Sequence, residues 1–155
     1  MPGQLIISLD FELLWGVRDH ADRARYGGNI IGAREAIPHI LELFDSHGIS
    51  ATWATVGFAM CGSLDELMES LPPRDLSPSY DDGRLSSYAY LDDVGKDERQ
   101  DPYFFGASLV ERIKETPHQE IGTHTLSHYY CLEPGQTQIQ FEADLVAAIA
   151  LAKRR

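Results

Sequence analysis

Apolar positions along this chain follow two alternating rhythms. Residues 4–9 form a short apolar run of leucine and β-branched side chains ending at Asp10, the pattern of a strand buried on both faces. From residue 29 to 47 the apolar positions Ile30, Ile31, Ala33, Ala36, Ile37, Ile40, Leu41, Leu43 and Phe44 recur near the helical period, and Gly48 supplies a stop. Pro38 predicts a kink in this helix, or a start near Ile37. Residues 49–56, I-S-A-T-W-A-T-V, read as a second strand followed by Gly57. A short helix over 64–71 is announced by Ser63 as its cap, with Glu66 three residues on. A further helix over 105–115, stopped by Pro117, leads into a third short strand at 119–123. From Thr137 the pattern is strongly helical and closes on Lys153, Arg154 and Arg155, charges suited to a helix C-terminus. Between 72 and 102 the chain turns polar, with P-P-R, S-P-S and D-D-G. A loop of that length is either functional or disordered. Strand and helix alternate throughout, which predicts an α/β fold with a parallel sheet and functional residues at the C-terminal ends of its strands.

With 155 residues, 43% of them hydrophobic, the chain has the size and apolar content of one domain. The 24 acidic residues against 13 basic ones give a net charge of −11, which repels phosphate backbones and anionic lipid heads, so neither nucleic acid nor a membrane is an expected partner. The N-terminus carries no basic region followed by a long apolar core, and no run approaches the ~20 apolar residues of a membrane span. A cytoplasmic location is expected. Cys61 and Cys131 lie far apart in no recognisable framework and read as two buried thiols.

Two stretches could carry chemistry. In S-L-D-F-E-L-L-W-G, residues 8–16, two carboxylates follow directly on the first strand, and Asp10 and Glu12 point the same way if the chain stays extended. In E-I-G-T-H-T-L-S-H, residues 120–128, His124 and His128 follow the third strand. If that segment is helical they share one face, ~5–6 Å apart at Cβ. Two imidazoles at that spacing can grip a divalent ion, and a carboxylate from another strand end can complete the set while leaving a position open for water. A lone H-x-x-x-H arises often by chance. Its coincidence with an acidic pair at the same rim of the sheet is what gives it weight. His39, His47 and His118 read as surface residues, and the acidic residues between 81 and 98 have no EF-hand spacing and read as a solvated loop.

Taken together, L-D-F-E, A-T-W-A-T-V-G-F and E-I-G-T-H-T-L-S-H resemble the opening half of the polysaccharide deacetylase family, metal-dependent carbohydrate esterases built on a distorted (β/α) barrel. The resemblance implies a partial barrel of parallel strands here, a carbohydrate substrate, and a divalent metal, with zinc the expected ion. Carried over, it makes His124, His128 and Glu12 the ligands and Asp10 the catalytic base. The commonest form of the first motif has adjacent aspartates, whereas Phe11 separates Asp10 from Glu12, which leaves open which carboxylate takes which role. The resemblance spans nearly all of this chain but about half of the family's domain, and the later Arg-Pro and general-acid histidine motifs have no counterpart in these residues. Sugar rings dock on aromatic faces. Trp15, Tyr129 and Tyr130 are therefore candidate platforms, with Arg18 at the rim after the W-G turn, while Trp53 belongs to the core of its strand. Open edges left by three strand-helix units predict self-association into a homo-oligomer. Two other readings stay open: a metal-independent hydrolase of a small amide on the same scaffold, and a non-catalytic binding or assembly module.

Overall fold

The computed structural model describes residues 3–155. Three parallel strands, β1 (Ser8–Phe11), β2 (Ala51–Thr55) and β3 (Gln119–Thr123), lie side by side in that order, so β2 is central and β1 and β3 are edges. The sheet is open, and no closed barrel forms among the described residues. The α/β class with parallel strands holds at this coarser level.

Position in the sheet decides how each strand is buried. Central β2 alternates buried and half-buried residues along its whole length. Edge strand β1 buries only Phe11 fully, and the preceding Leu5 and Ile6 are 87% and 85% exposed. The apolar run at 4–9 is therefore not a strand buried on both faces. It pairs from Ser8 onward, one residue before the run ends.

Helix α1 (Arg23–His47) starts six residues before the first position predicted, because Asp22 caps it by accepting from the Arg25 backbone N–H at 2.8 Å. It runs through Pro38 and ends on Gly48 in the left-handed region. Ile30, Ile37 and Leu41 hold it against the core, and one missing backbone donor in 25 residues does not outweigh that burial. A single turn, α2 (Gly57–Met60), follows β2 and is wholly buried. Helix α3 (Leu64–Ser70) has the predicted Ser63 cap, but the Glu66 carboxylate reaches back to the N–H of Gly62, one residue short of a capping box. The reciprocal box appears at the last helix instead. Thr137 and Gln140 satisfy each other at the start of α5 (Gln138–Arg154). Helix α4 (Ala107–Glu115) connects to β3.

The polar stretch at 72–102 is ordered rather than loose, folded into three 3-10 turns, Arg74–Leu76, Gly83–Leu85 and Ser87–Asp93. It buries Tyr80, Ser87, Val94 and Asp101 against the rest of the chain. Arg23 on α1 pairs with the buried Asp101 at 2.6 Å, and Asp101 also accepts from the Gly95 N–H at 2.7 Å, which ties the stretch down. Of the two thiols, Cys61 is buried, and desolvation pushes its pKa up to about 12. Cys131 is exposed, contrary to expectation, because its segment runs over the surface between β3 and α5. His39, His47 and His118 are exposed as expected. No helix among the described residues is long and apolar enough to cross a membrane.

Candidate metal centre

Register brings the two motifs together. Phe11 of β1 and Thr123 of β3 both pair with Thr55 of β2, so Glu12 and His124 leave the sheet at the same level on either side of the central strand. Their backbones are then two strand spacings apart, ~9–10 Å, a gap that a glutamate and an imidazole reaching inward can close. The Val56 N–H donates to Phe11 O at 3.0 Å and the His124 N–H to Thr55 O at 2.9 Å, extending the ladder one step on each side.

On the β1 side the chain turns at once into a 3-10 turn, Leu13–Gly16, whose Leu13, Leu14 and Trp15 are buried. Trp15 has no exposed surface and donates its indole N–H to Phe104 O at 2.8 Å. Leu14 N–H donates to Tyr103 O at 2.9 Å. With the turn plugged into the core, the Glu12 carboxylate folds over Gly16. A Cβ at position 16 would fall 2.0 Å from the Glu12 carboxyl carbon, so glycine is what admits the side chain there.

On the β3 side the histidines do not sit on a helix. Residues 124–130 form an irregular bend, with Thr125 at φ +65° and His128 at +56°. Left-handed backbone is rare for a β-branched residue, and such strain concentrates at functional sites. Leu13, next to Glu12, shares it at φ +51°. The bend is held by Gly57 and Phe58, whose N–H groups donate to Thr125 O and Leu126 O, each at 2.9 Å. Thr125 Oγ1 donates to His124 O at 2.5 Å and accepts from Tyr129 N–H at 2.7 Å. Asp144 of α5 accepts from Leu126 N–H at 2.6 Å and from Ser127 Oγ at 2.5 Å. From the polar stretch, Ser87 Oγ donates to Ser127 O, and Tyr80 Oη accepts from Tyr130 N–H at 2.9 Å.

The outcome is one cluster. Glu12 Oε2 lies 3.2 Å from His128 Nε2 and 3.6 Å from His124 Nε2. The imidazole rings are 5.1 Å apart, and His128 packs edge-on against Tyr130 at the same distance. Among the described residues this is the one Cys/His/Asp/Glu group with ligand atoms gathered for a metal, all within 4.8 Å of one another. Ligands ~2.1 Å from a tetrahedral ion stand ~3.4 Å apart, close to both Glu12 separations. Two neutral nitrogens and one carboxylate oxygen form a donor set suited to a borderline ion with an open fourth position. The hydrogen bond from His128 outweighs desolvation and, with the charges of His128, His124 and Arg18, holds the Glu12 carboxyl below the usual glutamate range. His128 Nδ1 is buried with no partner among the described residues, so Glu12 is the only side chain that binds this ring through a polar contact.

The remaining sequence candidates fall elsewhere. Asp10 is exposed on β1, outside the cluster, and lines with Glu12 a cavity of about 190 Å³ between β1 and α1. Trp15 and Tyr129 are core residues at 0% and 7% exposure, not open platforms. Arg18 is 5% exposed. It donates to Trp15 O at 2.6 Å and Leu85 O at 2.5 Å, and lies between the rings of Tyr90 and Tyr130 at 5.7 and 5.8 Å. It is therefore packed against Tyr90 and Tyr130 and is not an exposed rim residue. Asp144, Gly16 and Gly57 were missed. Only Asp144 left a trace, an acid within the apolar run of F-E-A-D-L-V-A-A. Comparison with protein-family models, with characterised proteins and with solved structures returns no match.

Proposed function

We propose that this chain carries the metal site of a hydrolase that removes acetyl groups from a carbohydrate or cell-surface polysaccharide, the activity its motifs resemble. The observation that supports this is the convergence of Glu12, His124 and His128 from the ends of two strands onto a space the size of one ion. A divalent ion of the zinc type, when bound, supplies a Lewis acid and a water of lowered pKa. Glu12 and the two histidines would hold it. Asp10 is two residues away on β1, exposed, and its carboxylate has no hydrogen-bond partner among the described residues, so it is available to take a proton from water. On this reading Asp10 is the base and Glu12 the ligand.

The test is acetate release from acetylated chito-oligosaccharides and acetylated xylan by the full natural chain. Zinc-dependent release is expected on one of them. His128→Ala should abolish both release and metal binding, whereas Asp10→Asn should abolish release and leave zinc affinity within about twofold, because a base acts beside the ion and not on it. Loss of zinc binding in Asp10→Asn would exchange the two carboxylates' roles, and full activity in that variant would remove Asp10 from the mechanism. Absence of release from zinc-loaded protein on both substrates would overturn the proposal.

A further inference from the structure

The bend that carries the two histidines lacks the support a helix would give it. Its backbone enters the left-handed region at Thr125 and again at His128, conformations that residues with a Cβ rarely adopt. A helix would have fixed residues i and i+4 on one face by its own hydrogen bonds. Here the spacing must be imposed from outside.

We infer that Asp144 is the positioning residue that does so, clamping the turn between His124 and His128 so that both imidazoles face Glu12. Three donors converge on its carboxylate: Leu126 N–H at 2.6 Å, Ser127 N–H at 3.2 Å and Ser127 Oγ at 2.5 Å. All belong to the residues midway between the histidines. The side chain is 1% exposed, comes from a different element, α5, and has no cationic partner among the described residues. Burying an unpaired carboxylate is costly unless hydrogen bonds compensate it, and every hydrogen bond it makes goes to this turn. Burial is also the leading influence on its own pKa, which it raises against the opposing pull of Ser127 and Leu126. The other ties hold the flanks, where Thr55 holds His124 and Thr125 Oγ1 holds Tyr129, or the central carbonyls, where Phe58 N–H donates to Leu126 O and Ser87 Oγ to Ser127 O. Only Asp144 grips both peptide N–H groups of the centre.

The consequence for metal affinity rests on the proposed metal site. The positioning itself does not, so two readouts separate them. In metal-free protein, the imidazole resonances of His124 and His128 report ring placement directly. Asp144→Asn replaces one acceptor oxygen by an amide donor facing N–H groups, and should shift or broaden the His128 signals while His39 and His47 stay unmoved. In Co²⁺-loaded protein the same variant should bind roughly 10–100-fold more weakly, the usual effect of losing an outer-sphere support, with an altered ligand-field spectrum. Ser127→Ala removes one of the three bonds, keeps the fold, and should move both readouts the same way by less. Unmoved His128 resonances in a folded Asp144→Asn, or in Ser127→Ala should the first variant not fold, would overturn the inference. Failure of the wild-type chain to bind Co²⁺, with the resonances shifting as expected, would overturn the metal site and leave the positioning role in place.

Discussion

The carboxyl ends of β1 and β3 face each other across β2, yet they are secured in opposite ways. At the end of β3 the histidine bend is tied to β2, α2, α5 and the polar stretch by backbone and side-chain hydrogen bonds. At the end of β1 the backbone is anchored through buried Leu13, Leu14 and Trp15, but the Glu12 carboxylate is placed only by the space above Gly16 and by the two imidazoles. One side is a fixed jaw and the other a fitted one. Two ligands held rigidly and a third that adapts would let an ion enter and still meet a preformed pair.

The largest way to break this asymmetry is Gly57→Ala. The new Cβ would lie 2.8 Å from Leu126 Cδ1 and 2.9 Å from Leu126 Cα, so backbone of the fixed jaw has to move. Overpacking of this kind costs ~1–3 kcal/mol, a fall in Tm of roughly 2–12 °C for a domain of this size, and metal affinity should drop with it. Calorimetry with and without zinc checks both. Gly16→Ala should act on the fitted jaw alone. The clash is with the end of a flexible side chain, so Tm should hardly change while zinc binding, followed by titration calorimetry, weakens by about tenfold. Equal losses of stability in the two variants would erase the distinction.

The smallest effect concerns acid. Glu12 is held below the ordinary glutamate range, and a carboxyl with a depressed folded pKa contributes stability above its unfolded value and loses it as pH falls through the folded one. The metal-free wild type should therefore lose stability more steeply than Glu12→Gln as pH drops below about 4.3. Denaturant midpoints across that window measure it. Partial exposure and screening keep the difference small.

Much of this layout was legible in the chain, and the misses have physical causes. Periodicity located the central strand and the three long helices because each buries an apolar face, and β1 and β3 as short runs on either side. Bringing Glu12 to His124 and His128 needed only the parallel topology, which sends every strand's C-terminal end to one rim, while Asp10 stays outside the cluster. The edge character of β1 was not legible, since Leu5 and Ile6 look like core residues until their neighbours are known. Whether the histidine segment is a helix or a bend was left open, because an i, i+4 spacing has no signature that separates a helix from a bend stabilised by distant groups. Trp15, Arg18 and Tyr129 looked like rim residues by their nearness to the motifs, but the 3-10 turn and the polar stretch fold them inward. Contacts from 17 and 18 residues away, such as Asp144 to Ser127 and Leu126, set no local periodicity.

The central claim is that one ion binds between the two jaws. X-ray absorption at the zinc edge, on full-length protein loaded with one equivalent of zinc, tests it directly. The account predicts a four-coordinate ion with two imidazole nitrogens and carboxylate oxygen at ~2.0–2.2 Å, and loss of that signature in both Glu12→Ala and His128→Ala. A sulfur neighbour at ~2.3 Å, which would place the zinc on the exposed Cys131, or an imidazole-free shell, would contradict it.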